Sequence, residues 1–371
     1  MNQRNLITAA LLAPDLVSNL SQLEWDLLLR QGRRANLLAR LADLLEAEKL
    51  FDLVPIAARQ HLISASRIAQ RQAIAMRWEV ECIRHALAGT DVRITLLKGA
   101  AYLMAGLPAS KGRVFSDVDI LVPKHAMANV ESELMLHGWQ SADSTDYDQR
   151  YYRRWMHEIP PMRHVRRGTT IDLHHAILPI TARVKVNTAS LFDGIVAVSG
   201  QNNLFVLKPA DMLLHSATHL FHEGELENGL RDLFDLDSLF RHFGGRPGFW
   251  NELVPRALEL GLARPLYYAI KFTVAILETP IPSHVVDASQ IGRPSAMAER
   301  LMDWCYRRAL RPVHASCDES GSRMARLILY VRSHWIRMPF HLLAYHLGRK
   351  AIVRPKPPHT ETPFKNEVDG Q

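Results

Sequence analysis

The sequence predicts an α+β fold in which a small mixed β-sheet lies between N-terminal and C-terminal helical regions. Leucines recur at helical spacing near the start of the chain, and a similar pattern returns from about residue 209 to residue 348. Between these regions the pattern changes to short apolar runs that are bounded by glycine, proline and charged turns. With 371 residues, 47% of them hydrophobic, the chain is long enough to bury a sizeable core.

Residues 21–88 are expected to form the first helical region. Ser21 is followed three residues later by Glu24, the spacing of a capping box at a helix start. Pro55 separates the first helices from a longer helix over about 58–88, and Gly89 ends that helix.

The middle of the chain reads as strands that alternate with short helices. We predict a strand over 92–97, a helix over 100–106, a strand over 118–122 and a helix over about 124–137. Two more extended runs are predicted over 151–157 and 162–175, with Pro160 and Pro161 between them and a hairpin turn at 166–168.

These patterns divide the chain into five parts. They are an N-terminal helical region (1–88), an α/β core (89–205), a C-terminal helical domain (206–312), a basic amphipathic helical segment (313–354) and a disordered tail (355–371).

The positive charge of the chain is local. The formal net charge is +7, and residues 321–360 carry eight Lys or Arg and no acid, so the other 331 residues sum to about −1. A near-neutral core is not expected to bind a long nucleic acid. Three scattered cysteines, no signal-peptide pattern and no apolar run long enough to span a bilayer predict a cytoplasmic protein.

Three aspartates are the candidate metal ligands. Asp117 and Asp119 alternate on one strand, so both side chains project from the same face of the sheet. At about 4 Å and an effective dielectric near 20, two such charges repel by roughly 4 kcal/mol, and a divalent cation would remove that cost. Asp172, flanked by Ile171 and Leu173, alternates in the same manner on a later strand.

An anion site is predicted beside these acids. Gly99 follows a strand and opens a helix, where a phosphate group can approach the backbone closely. Lys98 and Arg113 add positive charge, and Ser116 offers a hydroxyl donor.

These segments carry a family resemblance. The motifs LLKG, R-x-x-S-D-V-D-I-L-V and I-D-L-H-H resemble the bacterial uncharacterised nucleotidyltransferases of the DNA polymerase β-like superfamily, over roughly residues 20–245. The resemblance implies a minimal nucleotidyltransferase core that transfers NMP from an NTP to a hydroxyl or phosphate of an unknown acceptor. It also implies that Asp117, Asp119 and Asp172 bind Mg²⁺ or Mn²⁺ and that Gly99 forms the nucleotide loop.

Two other functions stay open at this stage. Ala100 follows Gly99 where related proteins usually have a second glycine or a serine, which favours a non-catalytic nucleotide-binding or regulatory protein. Phosphoryl transfer on the same scaffold is the third hypothesis.

Histidines after the core admit two interpretations. His215, His219 and His222 fall on one helix face at a spacing that can bind zinc, but the H-E-x-x-H pattern is missing, so we expect them to pack against the sheet. His174 shares a strand face with Asp172; we expect it to be a structural histidine, and the alternative is a contact with phosphate or base.

The charged residues Arg231, Asp232 and Asp235 form a second cluster in the helical region. We expect them to be a helix-surface ion-pair cluster, with at most one member lining the active cleft.

The basic, aromatic segment over residues 323–350 also admits two interpretations. It is expected to be a terminal helix pair docked on the protein, and the alternative is a peripheral contact with an anionic membrane surface.

Overall fold

The computed structural model describes residues 5–141, 146–222 and 224–339, and helices form the first and the last part of this described chain. The N-terminal helices are α1 (Leu6–Leu12), α2 (Gln22–Arg34), α3 (Leu38–Ala47) and α4 (Ile56–Ala86). The C-terminal helices are α9 (Pro209–His222), α10 (Gly229–Gly244), α11 (Phe249–Glu259), α12 (Ala263–Leu277), α13 (Ser283–Ser289), α14 (Ala296–Ala309) and α15 (Ser322–Arg337).

Between these regions, the described residues form seven strands and four short α-helices. The strands are β1 (Ile94–Leu96), β2 (Asp117–Leu121), β3 (Trp139–Ser141), β4 (Met162–His164), β5 (Thr170–His174), β6 (Val196–Ala197) and β7 (Leu204–Val206). The helices are α5 (Lys98–Met104), α6 (Met127–Leu136), α7 (Asp146–Trp155) and α8 (Ala189–Phe192).

The strands form one mixed sheet in the order β3-β4-β5-β2-β1-β7-β6. β2 pairs parallel with β5 and antiparallel with β1, and β1 pairs parallel with β7. The predicted α+β class, with a mixed sheet set between helical regions, is therefore confirmed.

The register of β2 and β5 matters most for function. Asp119 lies opposite Asp172, and Leu121 lies opposite His174. Paired residues of adjacent strands project to the same face, so Asp119, Asp172 and His174 share one face of the sheet. On the opposite face, Val118 and Ile120 are buried in the core as the alternation predicts.

Local signals in the N-terminal region are reproduced. Ser21 and Glu24 form the capping box at the start of α2, and Pro55 is the residue that precedes α4.

The loop before β2 packs directly on α3. Gly112 in this loop has a φ of +60°, and a Cβ there would lie 2.5 Å from the Arg40 Cα. Only glycine fits this close approach, and it sets the path of the chain into β2.

The predicted extended run over 151–157 is wrong, since α7 continues to Trp155. The aromatic residues in this run suggest a strand by propensity. In the helix, however, the rings of Tyr151 and Trp155 meet edge to face at 5.7 Å, and Arg153 forms an ion pair of 2.6 Å with Glu131 of α6. These contacts favour the helix over local strand propensity.

The strands β3, β6 and β7, each two or three residues long, were not predicted.

One cluster of buried hydrophobic residues runs from Leu6 in α1 to Leu329 in α15. α15 packs on the core through the buried side chains of Ala325 and Leu329. Its Arg332 donates a hydrogen bond of 2.9 Å to the Phe221 carbonyl oxygen. This part of the basic segment is therefore docked on the protein, as expected. The rest of that segment and the tail over 355–371 lie outside the described residues, so the membrane contact and the five-part division stay predictions. None of the described helices combines the length and apolarity needed to cross a bilayer.

Candidate active site

Three acidic or imidazole side chains converge where β2 and β5 run side by side. One ligand atom each from Asp119, Asp172 and His174 lies within 4.8 Å of the others. Asp119 is only 3% exposed. Asp172 Oδ1 is buried and has no hydrogen-bond partner among the described residues. A buried carboxylate oxygen without a partner is costly, and a bound cation would satisfy it.

Asp117 lies at the start of β2, on the same face and closer to solvent. Its Oδ1 accepts a hydrogen bond of 2.7 Å from the Ser116 hydroxyl. Asp117 also acts electrostatically on Asp172 and on Lys98, so the three predicted aspartates belong to one electrostatic cluster. The alternation on β2 and its register with β5 put all three on one sheet face, but the ligand atoms that lie within 4.8 Å of one another belong to Asp119, Asp172 and His174 and do not include Asp117.

Lys98 lies against the aspartates. Its Nζ is 2.9 Å from Asp119 Oδ1, and its backbone has φ of +45°, a left-handed value that is uncommon outside glycine. Burial acts to lower the pKa of Lys98, but Asp119 outweighs it and raises the pKa, which keeps the ammonium charged. Lys98 therefore supplies positive charge directly beside Asp119.

His174 is the second partner of Asp119. Its Nε2 lies 3.0 Å from Asp119 Oδ1, and its Nδ1 lies 3.2 Å from Glu158 Oε2. Burial acts to raise the pKa of Asp119, but the Lys98 ammonium and the His174 hydrogen bond hold that pKa well below its usual range. His174 therefore lies in the same cluster as Asp119 and Asp172, on the strand face that its position two residues after Asp172 indicates.

Asp172 has the opposite shift. Burial first, and then the charges of Asp119, Glu158 and Asp117, raise the pKa of Asp172 to about 7. The cluster thus contains one carboxylate that is firmly ionised and one that resists ionisation because negative charge is already present. Added positive charge would relieve this repulsion, which is the chemistry of a divalent-cation site.

A cavity of about 210 Å³ opens beside Asp117 and Asp119. It brings together all four residues of the predicted anion site: Lys98, Gly99, Arg113 and Ser116. Gly99 is buried, and a Cβ there would approach the Arg113 guanidinium carbon and Phe115 Cδ1 to 3.1 Å. Glycine at this position leaves room for the Arg113 side chain.

The opposite wall of the cavity comes from α9 and α10. Arg231, Asp232 and Asp235 all line it, so the expectation of at most one was wrong. The reason is tertiary, because α10 starts at the cavity with Asn228 preceding it and presents this face inward instead of to solvent. Tyr102 and Ser216, which hydrogen-bond to each other through their hydroxyls, also line the cavity and were not predicted.

Asp235 anchors the arginine of the anion site. Its Oδ2 accepts a hydrogen bond of 2.8 Å from Arg113 Nε, and its Oδ1 accepts a hydrogen bond of 2.7 Å from Arg40 Nη2. Arg113 is thereby held in place from behind while it lines the cavity.

Buried histidines of α9 predict an acid-sensitive fold. Burial, followed by the Lys98 charge for His215 and by Arg332 and Arg337 for His222, lowers the pKa of each to about 3. Asp119 and His174 also act on His215, in opposite directions. Unfolded histidine titrates near pH 6.5, so between about pH 6.5 and 3 the unfolded chain binds more protons and stability falls with falling pH.

At pH 5.5 each of these two histidines should cost about 1.4 kcal/mol of unfolding free energy relative to neutral pH. Urea unfolding at pH 7.5 and pH 5.5 measures this difference. His222→Leu should reduce it by about that amount, whereas His61→Leu, at an exposed position, should not. An unchanged difference in His222→Leu would contradict the prediction.

Comparisons with known proteins identify the family of this chain. Neither a curated protein nor a solved structure matches the chain. A family model described as "Uncharacterised nucleotidyltransferase" matches residues 21–278. This range runs from α2 to α12 and includes the whole sheet. On this match, the chain belongs to the uncharacterised nucleotidyltransferase family.

Proposed function

We propose that this chain is a metal-dependent nucleotidyltransferase that moves NMP from an NTP to a hydroxyl or phosphate of an acceptor. The observation that carries the proposal is the pairing of Asp119 with Asp172 across β2 and β5, with Asp172 Oδ1 buried and unpartnered among the described residues. Family membership supports the reaction class.

Asp117, Asp119 and Asp172 would hold Mg²⁺ or Mn²⁺ in this proposal. Carboxylate oxygens are the ligands that both ions prefer. When bound, the metal supplies charge that neutralises the polyphosphate and stabilises the attacking and leaving oxygens. Asp172 would also orient the incoming hydroxyl.

The cavity residues would hold the triphosphate. Arg113, fixed from behind by Asp235, supplies a positive charge, and Ser116 supplies a hydroxyl at the edge of the aspartate cluster. The volume of about 210 Å³ is smaller than the roughly 300 Å³ at which pockets for whole small molecules begin. It suits the phosphate chain, with the nucleoside directed outward.

The alternative function is a nucleotide-binding or regulatory protein without turnover. One observation favours it, since Lys98 Nζ already neutralises Asp119 at 2.9 Å. In the proposed enzyme, Lys98 would supply positive charge to the phosphates in the cavity that it lines.

Labelled nucleotides separate these functions. The full chain is incubated with each of the four α-labelled NTPs, Mg²⁺ or Mn²⁺, and a cell extract, and pyrophosphate and labelled products are measured. The proposal expects a labelled acceptor and released pyrophosphate with at least one NTP. Calorimetric nucleotide binding without any label transfer would support the alternative, and release of a nucleoside diphosphate would instead indicate phosphoryl transfer.

A further inference from the structure

A second group of ligand atoms lies behind the aspartates, on the far side of His174. One ligand atom each from His157, Glu158 and His174 lies within 4.8 Å of the others. The backbone sets this proximity. Glu158 forms a β-bridge with His174, and the His175 amide donates a hydrogen bond of 2.8 Å to the His157 carbonyl oxygen. The segment after α7 thus runs antiparallel to the end of β5 and places two histidines and a carboxylate together.

The spacing of these atoms fits a zinc ion. His174 Nδ1 lies 3.2 Å and His157 Nε2 lies 3.8 Å from the same atom, Glu158 Oε2. With metal–ligand distances of about 2.0–2.2 Å, the ligand atoms of a tetrahedral zinc site lie about 3.3–3.6 Å apart. Small shifts of the side chains would therefore reach coordination geometry.

We propose that His157, Glu158 and His174 Nδ1 bind Zn²⁺ at a site separate from the carboxylate site of the proposed transfer reaction. Two imidazoles and one carboxylate form a donor set that suits zinc and leaves one coordination position open. The other nitrogen of His174, Nε2, then donates to Asp119 at 3.0 Å. This is the arrangement in which a carboxylate orients a metal-binding histidine. The zinc ion would fix the ring of His174 and, through it, the position of Asp119.

A small cavity next to these residues offers space for the fourth ligand. Its volume is about 30 Å³, and its walls include His157, His174, His215 and His222. Three wall atoms are buried without hydrogen-bond partners among the described residues: His157 Nδ1, Thr218 Oγ1 and His222 Nδ1. A polar cavity of this size can hold one water molecule, so a zinc-bound water would have room there, with the unpartnered Thr218 Oγ1 and His222 Nδ1 in the same walls.

A metal-free arrangement makes a different prediction. His174 protonated on both nitrogens would donate to Asp119 and to Glu158, and then His157 would have no part in the cluster. The role of His157 is therefore the feature that distinguishes zinc binding from a hydrogen-bonded imidazolium.

The test measures zinc directly and needs no activity. Full-length protein is treated with a chelator, dialysed and titrated with Zn²⁺ against a competing chromophoric chelator, and Co²⁺ is added separately to record the visible absorption of a four-coordinate site. One ion per chain with a Kd below about 1 µM is expected. His157→Ala should weaken binding by at least about 100-fold, the upper end of the effect of losing only an outer partner of a zinc ligand. Glu158→Gln should weaken it as well.

Two matched variants serve as controls. His175→Ala removes the neighbouring imidazole, which is outside the cluster, and Asp117→Asn alters the carboxylate site, and both should keep zinc affinity. Absence of stoichiometric zinc binding, wild-type affinity in both His157→Ala and Glu158→Gln, or loss of zinc in Asp117→Asn alone would each overturn the proposal. Circular dichroism identifies a variant that fails to fold, in which case the other ligand variant decides. Failure of this test leaves the label-transfer result untouched, so the two proposals are distinguishable.

Discussion

Asp119→Asn is expected to lower nucleotidyl transfer by at least about a thousand-fold, which corresponds to about 4 kcal/mol of the reaction barrier. The substitution keeps the shape of the side chain and removes a charge that lies against Lys98 and His174 and beside Asp172. Loss of that charge should weaken Mn²⁺ binding in the same variant, because the amide is a poorer ligand for a hard cation. Label transfer from α-labelled NTP and Mn²⁺ titration measure both effects.

Removal of the Asp119 charge also leaves the partly buried Lys98 ammonium without this partner, so a loss of activity could come from a loss of folding. Asp117→Asn resolves this ambiguity, because Asp117 is closer to solvent and bonded only to Ser116 among the contacts described above. Asp26→Asn, in an exposed ion pair on α2, is the control for an acidic residue remote from the site. Wild-type turnover in both Asp119→Asn and Asp117→Asn would dismiss the proposed enzyme.

Asp235→Ala is expected to reduce the free energy of unfolding by about 3–5 kcal/mol, the range seen when one partner of a buried ion pair is removed. The Asp235 side chain is 4% exposed, and it receives hydrogen bonds from both Arg113 and Arg40, which are 10% and 12% exposed. Without the carboxylate, two guanidinium groups would remain close together in a poorly solvated place. Denaturant unfolding followed by circular dichroism measures the change.

The matched control is Asp26→Ala, which breaks an ion pair whose side chains are 56% and 61% exposed. Such an exposed pair should cost no more than about 0.5 kcal/mol. If the free energy of unfolding fell by less than about 1 kcal/mol in Asp235→Ala, water would be solvating the two guanidinium groups, and the prediction would be wrong. Because Arg113 lines the cavity, Asp235→Ala protein that remains folded should also bind NTP more weakly.

Local sequence patterns were sufficient for most of the core. Alternation of Asp117 and Asp119 with buried Val118 and Ile120 defined the strand and the face on which the acids project. Strand periodicity likewise placed Asp172 correctly, because the period of two is set by backbone geometry alone. The capping box at Ser21 and the break at Pro55 depend on neighbouring residues only, and both are present.

Local patterns failed where long-range contacts outweighed them. The aromatic run at 151–155 is helical. Its Arg153 forms an ion pair with Glu131 of another helix, and the two residues are 22 positions apart in the sequence. Arg231, Asp232 and Asp235 look like a solvated helix face in sequence, but the path of the chain before α10 turns that face into the cavity.

The amino-acid order alone established which face of β2 carries the acids, that an apolar core lies behind them, and that a glycine opens the adjacent helix. Packing of distant segments was needed to set Asp119 opposite Asp172, to bring Lys98 and His174 against Asp119, and to place His157 and Glu158 beside the end of β5. The difference has a physical reason. Side-chain direction along a strand follows from local backbone geometry, whereas register and ion-pair partners depend on the free energy of contacts between residues far apart in the chain.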